Sequence, residues 1–177
     1  MRSSLRPLLL CALFTALTAI CSQLIIPTPM VPISMALLAV YLTGALLGPK
    51  LGAASMGVYM LLGLVGVPVF AGFGAGPGIL FGKTGGYILG YILGAFVTGL
   101  VMRKRRGYGF ACLAMAGGTL ACYAFGTAWF MVVTGLGWRA SLSYCVLPFL
   151  PGDALKILLA AWLAGRLGRQ VERMLQT

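Results

Sequence analysis

The sequence contains little charge and almost no acid. Only 8% of its 177 residues are charged, Asp153 and Glu172 are its two carboxylates, and it has no histidine. A soluble domain carries about 25% charged residues, so this composition cannot supply a polar surface. With 60% hydrophobic residues, the chain is expected to lie in a lipid bilayer, where apolar side chains meet apolar surroundings.

The same absences exclude several kinds of chemistry. Glu172 lies in a basic C-terminal tail, so at most one carboxylate is available to a buried site, which excludes paired-carboxylate catalysis. Without histidine, a His-based triad or metal site is excluded too. The five cysteines show no C-x-x-C spacing and are interpreted as unpaired membrane residues. We therefore expect no enzyme activity, no metal and no cofactor.

Six apolar runs predict an all-α, polytopic membrane protein with six transmembrane helices in a single domain, 1–177. The runs cover residues 8–26, 33–48, 51–67, 84–102, 110–135 and 153–170. A full span needs about 20 residues, so the two shortest runs are expected to recruit neighbouring loop residues. Arg2 and Arg6 precede the first apolar run, as in a signal peptide. Cleavage before a lipoprotein-type cysteine at Cys21 is disfavoured because the bulky Ile20 stands where a small residue is needed. We therefore expect the run to be retained.

The basic residues divide unequally between the two sides of the predicted bundle. One side holds Arg2, Arg6, Lys50, Arg103, Lys104, Arg105, Arg106, Arg166, Arg169 and Arg173. The other side holds Lys83, Arg139 and Lys156. The positive-inside rule therefore predicts a protein of the inner (cytoplasmic) membrane with both termini in the cytoplasm. The dense cluster at 103–106 lies between two apolar runs, so we interpret it as a cytoplasmic loop and expect no nucleic acid partner.

A glycine-rich segment at 67–87 is the most unusual part of the chain. Gly82-Lys83-Thr84 imitates the end of a phosphate-binding loop, but Pro77 stands where that loop needs its first glycine, so ATP binding is not expected. The glycines, with aromatics such as Phe73 and Tyr87, favour an outer loop that can approach an apolar ring closely. A purely structural re-entrant loop is the alternative.

Small residues recur at helical spacing in two places. Glycines repeat every four residues from Gly82 to Gly94, and Ala12 and Ala16 offer a similar smooth face near the N-terminus. Such stripes serve either packing within the bundle or docking to a second membrane protein.

Asp153 and Lys156 form the second unusual feature. They are three residues apart, so they share one helix face at the start of the last apolar run. An N-capping aspartate with a local ion pair is one interpretation. Capping does not explain a lysine one turn into an apolar helix, and an ionisable residue in a membrane segment is a functional-site candidate. We therefore predict a ligand site at the outer face, where Lys83 also lies.

Several motifs together resemble those of a known family. They are Ala12-x-x-x-Ala16, Val31-Pro-Ile-Ser34, Thr43-Gly-Ala-Leu-Leu-Gly-Pro49, Gly63-Leu-Val-Gly-Val-Pro-Val-Phe-Ala-Gly72, Gly82-Lys-Thr-Gly-Gly-Tyr87 and Pro151-Gly-Asp-Ala-Leu-Lys156. In these motifs the sequence resembles the BioY family, the biotin-specific S components of energy-coupling-factor (ECF) transporters, over most of its length. It departs from the common pattern at Lys83, where many members have proline, and at Met35-Ala36-Leu37, where they have a Gln-Thr pair.

The resemblance implies the ECF S-component fold and biotin binding near the outer face, with the loops after helices 1 and 3 closing the site. It also implies partnership with a membrane coupling protein and two cytoplasmic ATPases, which would use ATP. The face formed by Ala12 and Ala16 would then be a docking surface.

Biotin offers ureido N–H donors, a ureido carbonyl, an apolar thioether ring and a carboxylate tail. We expect Asp153 to accept a ureido N–H, and Lys156 to donate to the ureido carbonyl or neutralise Asp153. Lys83 would meet the carboxylate, and Tyr87 and Phe73 the apolar rings. Further predicted contacts are Gly74, Thr84 and Ser34. An S component for another vitamin, such as riboflavin or thiamine, and a stand-alone small-molecule transporter are the alternatives.

Overall fold

The computed structural model describes residues 5–27, 31–103 and 107–176. Of the residues used in the charge distribution, Arg2 and the loop residues Lys104, Arg105 and Arg106 lie outside these ranges.

The described chain is almost entirely helical. Its elements are α1 Leu5–Gln23, β1 Ile25–Ile26, β2 Ile33–Ser34, α2 Ala36–Leu64, α3 Pro77–Leu80, α4 Gly85–Met102, α5 Tyr108–Thr134, α6 Trp138–Cys145 and α7 Leu150–Gln176. Within these ranges, α1, α2, α4 and α5 are long and apolar enough to cross a membrane, and α6 with α7 forms a pair bent by 50° that can make a fifth span. The prediction of an all-α, multi-pass membrane protein is therefore confirmed.

Helix α2 is interrupted where two separate helices were predicted. Gly48 has φ 79° and ψ −178°, a conformation that residues with side chains rarely adopt, and Pro49 follows it. A Cβ on Gly99 of α4 would lie 2.5 Å from the nitrogen of Pro49, so α4 crosses this kink at a glycine. The predicted runs 33–48 and 51–67 thus correspond to two helical segments that meet at Gly48. A Cβ on Gly52 would lie 3.2 Å from Gly44 Cα, so the chain folds back on itself there, and the second segment ends at Leu64.

The glycine stripe of α4 packs against α5. A Cβ on Gly86 would lie 2.2 Å from the Cβ of Trp129, and one on Gly90 would lie 3.0 Å from Cys122 Sγ. The two helices approach so closely that a side chain on the α4 face has no room. Of the two predicted uses of this stripe, packing within the bundle is confirmed at these positions.

Helix α1 joins α2 through buried hydroxyl groups. Thr15 Oγ1 donates a hydrogen bond to the carbonyl oxygen of Ser55 (3.0 Å), and Ser55 Oγ donates to the carbonyl oxygen of Cys11 (3.0 Å). Ala12 and Ala16 are exposed. The small-residue face of α1 is therefore left uncovered by the described part of the chain.

Two elements at the predicted outer face differ from expectation. Helix α6 lies where the sequence indicated a loop, and α7 begins at Leu150 rather than at residue 153 and extends past residue 170. Pro151 occurs inside the first turn of α7, where a missing N–H is tolerated, so proline did not mark the residue before the helix. A two-stranded antiparallel ribbon pairs Ile25 with Ser34 and Ile26 with Ile33 at the same end.

Candidate ligand-binding site

Asp153 and Lys156 form a buried ion pair in the first two turns of α7. Lys156 Nζ lies 2.7 Å from Asp153 Oδ1, and the two residues are only 5% and 2% exposed. Removing a charge from water costs several kcal/mol, so each of these groups depends on its partners to offset that cost. The pair therefore forms a polar, overall neutral centre inside an apolar bundle.

Two further groups complete this centre. The Tyr123 hydroxyl of α5 donates a hydrogen bond to Asp153 Oδ2, and Lys156 Nζ donates to the carbonyl oxygen of Ser34 at 2.7 Å. The Asp153 N–H donates to the carbonyl oxygen of Phe149 at 2.8 Å, within the turn that leads into α7. The ion pair thus joins α5, through the Asp153 carboxylate, and the β2 strand, through Lys156, to α7, which a helix cap alone would not do.

Ser34 also lines a cavity of about 140 Å³. Tyr59, Phe70 and Tyr91 contribute aromatic walls, and Ser34 and Thr84 contribute hydroxyl groups. Apolar walls with a few polar groups are typical of small-molecule sites. Ser34 lines the cavity, and its carbonyl oxygen accepts a hydrogen bond from Lys156, so this one residue links the ion pair to the cavity.

The loop that carries Phe70 is fastened over the cavity by the end of α1. We call residues 65–76 the Phe70 loop. Gln23 Oε1 accepts a hydrogen bond from the N–H of Phe73 (2.8 Å), and Gln23 Nε2 donates to the carbonyl oxygens of Val69 and Phe70 (both 3.2 Å). Phe73 has φ 58°, in the left-handed region. One amide side chain therefore holds a tight turn against the bundle.

Four of the predicted contacts lie together. Ser34 and Thr84 line the cavity, and Asp153 and Lys156 adjoin it through the Ser34 carbonyl oxygen. Gly74 lies in the Phe70 loop and forms a two-way backbone pair with Phe70, with N–O distances of 3.0 and 3.2 Å. The structure thus brings residues from distant parts of the sequence close to one another.

Three other predicted contacts neither line the cavity nor bind a residue of the ion pair. Phe73 is 72% exposed and Lys83 is exposed. Tyr87 is buried, but its hydroxyl is 3.1 Å from Thr127 Oγ1, and a Cβ on Gly126 would meet its ring at 2.5 Å. The Tyr87 ring therefore packs against α5, which the sequence alone did not indicate.

Sequence reasoning missed Tyr123, Tyr91 and Gln23. No spacing rule relates Tyr123 to Asp153, which is 30 residues further along the chain. Tyr91 is one of several tyrosines in apolar runs, with nothing to distinguish it. Gln23 did offer a signal, because a strongly polar amide at the end of an apolar helix needs partners.

The described chain is an α-helical bundle with helices of membrane-spanning length, and it holds a buried polar centre beside a small cavity, which defines its class by fold. A solved structure described as the S-component for biotin from an ECF-type ABC transporter matches this fold with a TM-score of 0.87 and 27% sequence identity. The match covers 95% of this chain and 93% of that one. The bundle is therefore an S-component fold.

The sequence comparisons narrow the class to one family. The BioY family model matches residues 1–173. The biotin transporter BioY of Thermotoga maritima is 36% identical over 170 residues, which is 96% of this chain and all of that protein. The probable biotin transporter BioY of Pyrococcus horikoshii is 37% identical, over 89% of this chain and 93% of that protein. The chain belongs to the BioY family.

Proposed function

We propose that this chain is a biotin-binding S component that takes part in biotin uptake across the cytoplasmic membrane. The observation that carries the proposal is the buried Asp153–Lys156 pair beside a loop-covered cavity, in a chain that belongs to the BioY family. A transporter subunit of this kind captures its substrate without changing it chemically.

The ion pair matches the ureido group of biotin. A carboxylate accepts hydrogen bonds only and an ammonium group donates only, so Asp153 is suited to a ureido N–H and Lys156 to the ureido carbonyl. Tyr123 already donates to the same carboxylate and orients it. Ligand binding would replace the contact between Lys156 and Ser34, exchanging one carbonyl acceptor for another.

The size of the cavity indicates that the Phe70 loop moves. Pockets that hold drug-sized ligands have volumes of about 300–1,000 Å³, and this cavity measures about 140 Å³. Outward movement of the Phe70 loop would enlarge the space and require Gln23 to release the loop. Return of the loop over the bound ligand would then bring Phe73 and Gly74 toward its apolar ring, with Lys83, outside the loop, assigned to the carboxylate tail and Tyr87 supporting the site from behind.

The membrane topology that fits this function has six spans in one domain, 1–177. The spans are α1, the two halves of α2, α4, α5 and α7, with α6 at the outer face. Basic residues concentrate at the end of the bundle opposite the ion pair, so we place that end and both termini in the cytoplasm.

An S component of this family requires an energy source from partner proteins. We propose a membrane coupling protein and two cytoplasmic ATPases as partners, with Ala12 and Ala16 on the docking face. Both alanines are exposed, and small residues let a partner helix approach closely.

Vitamin titration of the purified protein tests the proposal. Trp129 Nε1 donates a hydrogen bond to the carbonyl oxygen of Gly82 at 3.0 Å, so its fluorescence should respond to changes beside Thr84. We expect a saturable response to biotin at one ligand per chain, no response to thiamine or riboflavin, and a much smaller response to biotin in Trp129→Phe. Saturable binding of riboflavin or thiamine without binding of biotin would contradict the proposal.

A further inference from the structure

A second, much larger cavity lies at the end of the bundle opposite the ion pair. It is an open groove of about 950 Å³, and we call it the basic groove. The kink of α2 at Gly48, the end of α4, the start of α5 and the C-terminal half of α7 form its walls. The site described above does not use any of these segments.

The polar part of the groove is strongly cationic. Its lining includes Lys50, Arg103, Arg166 and Arg169, together with one carboxylate, Glu172. All four cationic side chains belong to exposed residues, so they are hydrated rather than locked into the core. Four cations around one cavity attract an anion that several of them can bind at once. Guanidinium groups in particular match the geometry of phosphate oxygens.

The remainder of the lining is apolar and unusually smooth. On α7 it consists of Ala161, Ala164, Gly165 and Gly168, small residues that recur at helical spacing and leave a channel along the helix. Trp162 is partly exposed beside them, and the Arg166 guanidinium carbon lies 4.9 Å from the centre of its ring. Tryptophan is enriched at the membrane–water interface, so this helix face runs from apolar surroundings to a charged edge.

We propose that the basic groove binds one anionic phospholipid. Its phosphate group would lie among Arg166, Arg169 and Lys50, and an acyl chain would follow the small-residue face of α7. A water-soluble phosphate compound would use the cations but leave the apolar wall unmatched, whereas a phospholipid uses both. Basic pockets between transmembrane helices on the cytoplasmic side are suited to anionic headgroups. The assignment of the basic groove to the cytoplasmic side of the membrane rests on the proposed function. The amphipathic character of its lining does not depend on that function.

Native mass spectrometry of the delipidated full chain tests this proposal. The probes are phosphatidylglycerol and phosphatidylcholine with identical acyl chains. Each cation near an anionic lipid contributes roughly fivefold in affinity, so the triple variant Lys50→Gln, Arg166→Gln, Arg169→Gln should bind phosphatidylglycerol about a hundredfold more weakly. Its affinity for phosphatidylcholine should not change.

Matched controls separate the groove from general surface charge. Arg139 stacks on Trp138 at 5.3 Å on α6, outside the groove, so Arg139→Gln should bind phosphatidylglycerol as the wild type does, whereas the single variant Arg166→Gln should bind it roughly fivefold more weakly. Biotin binding of the triple variant should equal that of the wild type, which shows that the fold is intact and separates this proposal from the proposed function. If the triple variant does not fold, the comparison of Arg166→Gln with Arg139→Gln decides.

Three results would overturn the proposal. The first is equal affinity of the wild type for the two lipids. The second is full competition by glycerol 3-phosphate, which would indicate a site for a soluble anion. The third is unchanged phosphatidylglycerol binding in the variants together with failed assembly with the coupling protein, which would make the groove a protein-docking surface.

Discussion

The two ends of α7 carry charged residues under opposite conditions. At its N-terminal end, Asp153 and Lys156 are buried and paired beside a cavity of about 140 Å³. At its C-terminal end, Arg166 and Arg169 are exposed around a groove of about 950 Å³. One helix thus presents a closed, neutral polar centre at one end and an open, cationic surface at the other.

The difference shows how surroundings decide what a charged side chain can do. A buried charge must be matched by its neighbours, so the N-terminal end suits a ligand that exchanges one set of hydrogen bonds for another. Exposed cations remain hydrated and are available to an anion that brings its own charge. In the described residues every buried side-chain nitrogen and oxygen has a hydrogen-bond partner, so the closed end can be disturbed by a single substitution.

Replacing Lys156 should destabilise the protein more than any other substitution proposed here. Lys156→Met leaves the Asp153 carboxylate buried without its cation, which should lower the free energy of unfolding by about 3–5 kcal/mol. Thermal unfolding in detergent measures the change, with Lys83→Met, an exposed lysine at the same end, as the control. The double variant Asp153→Asn, Lys156→Met should recover part of the loss. Equal unfolding midpoints for the two single lysine variants would contradict the assigned role of the pair.

Neutralising Asp153 should weaken ligand binding as well as the fold. Asp153→Asn keeps the shape of the side chain and loses the charge-assisted hydrogen bond proposed for the biotin ureido group. Hydrogen bonds to charged groups contribute about 1.5–3 kcal/mol, so the dissociation constant for biotin should rise roughly ten- to hundredfold. Calorimetric titration provides the measurement, and unchanged affinity would remove Asp153 from the site.

Adding a methyl group should affect the packed and open parts of the bundle differently. Gly86→Ala places a Cβ 2.2 Å from Trp129 Cβ and should destabilise the protein by about 1–3 kcal/mol. Gly165→Ala is the matched control, because no atom lies within 4 Å of the added Cβ in the basic groove. Thermal unfolding should rank Gly165→Ala at or above the wild type. The reverse ranking would contradict the described packing of α4 against α5.

Tyr123 should have the smallest of these effects, because Lys156 still pairs with the carboxylate in its absence. Tyr123→Phe removes one hydrogen bond to Asp153 Oδ2 and should raise the dissociation constant for biotin about tenfold or less. Tyr108→Phe serves as the control, since Tyr108 is exposed and its hydroxyl is 3.4 Å from the carbonyl oxygen of Leu158. A loss equal to that of Asp153→Asn would mean that Tyr123 itself contacts the ligand.

Much of the fold could be predicted because membrane helices are encoded in composition and charge. The apolar runs match α1, the two halves of α2, α4 and α5 closely. Helix α6 was missed because its residues are of mixed polarity, and α7 was predicted to begin too late because Pro151 and Gly152 usually precede helices. The break at Gly48 was predicted as the boundary between the runs 33–48 and 51–67, and backbone geometry was needed only to show how the chain turns there.

Of the candidate site, the charged pair and two residues that line the cavity, Ser34 and Thr84, were predicted. Asp153 and Lys156 were conspicuous because ionisable groups are costly in an apolar helix. Tyr123 and Tyr91 reach the site through tertiary packing, which no local pattern encodes. Tyr87 shows the converse: it lies in a motif that favours ligand contact, yet its hydroxyl group binds Thr127.

Hydrogen–deuterium exchange with and without biotin tests the division between the two ends most directly. Peptides from the Phe70 loop, residues 65–76, report on the cavity, and peptides covering residues 45–51 report on the basic groove. The account predicts slower exchange in the Phe70 loop on addition of biotin, with no change at residues 45–51. Slower exchange at residues 45–51 with none in the Phe70 loop would contradict it.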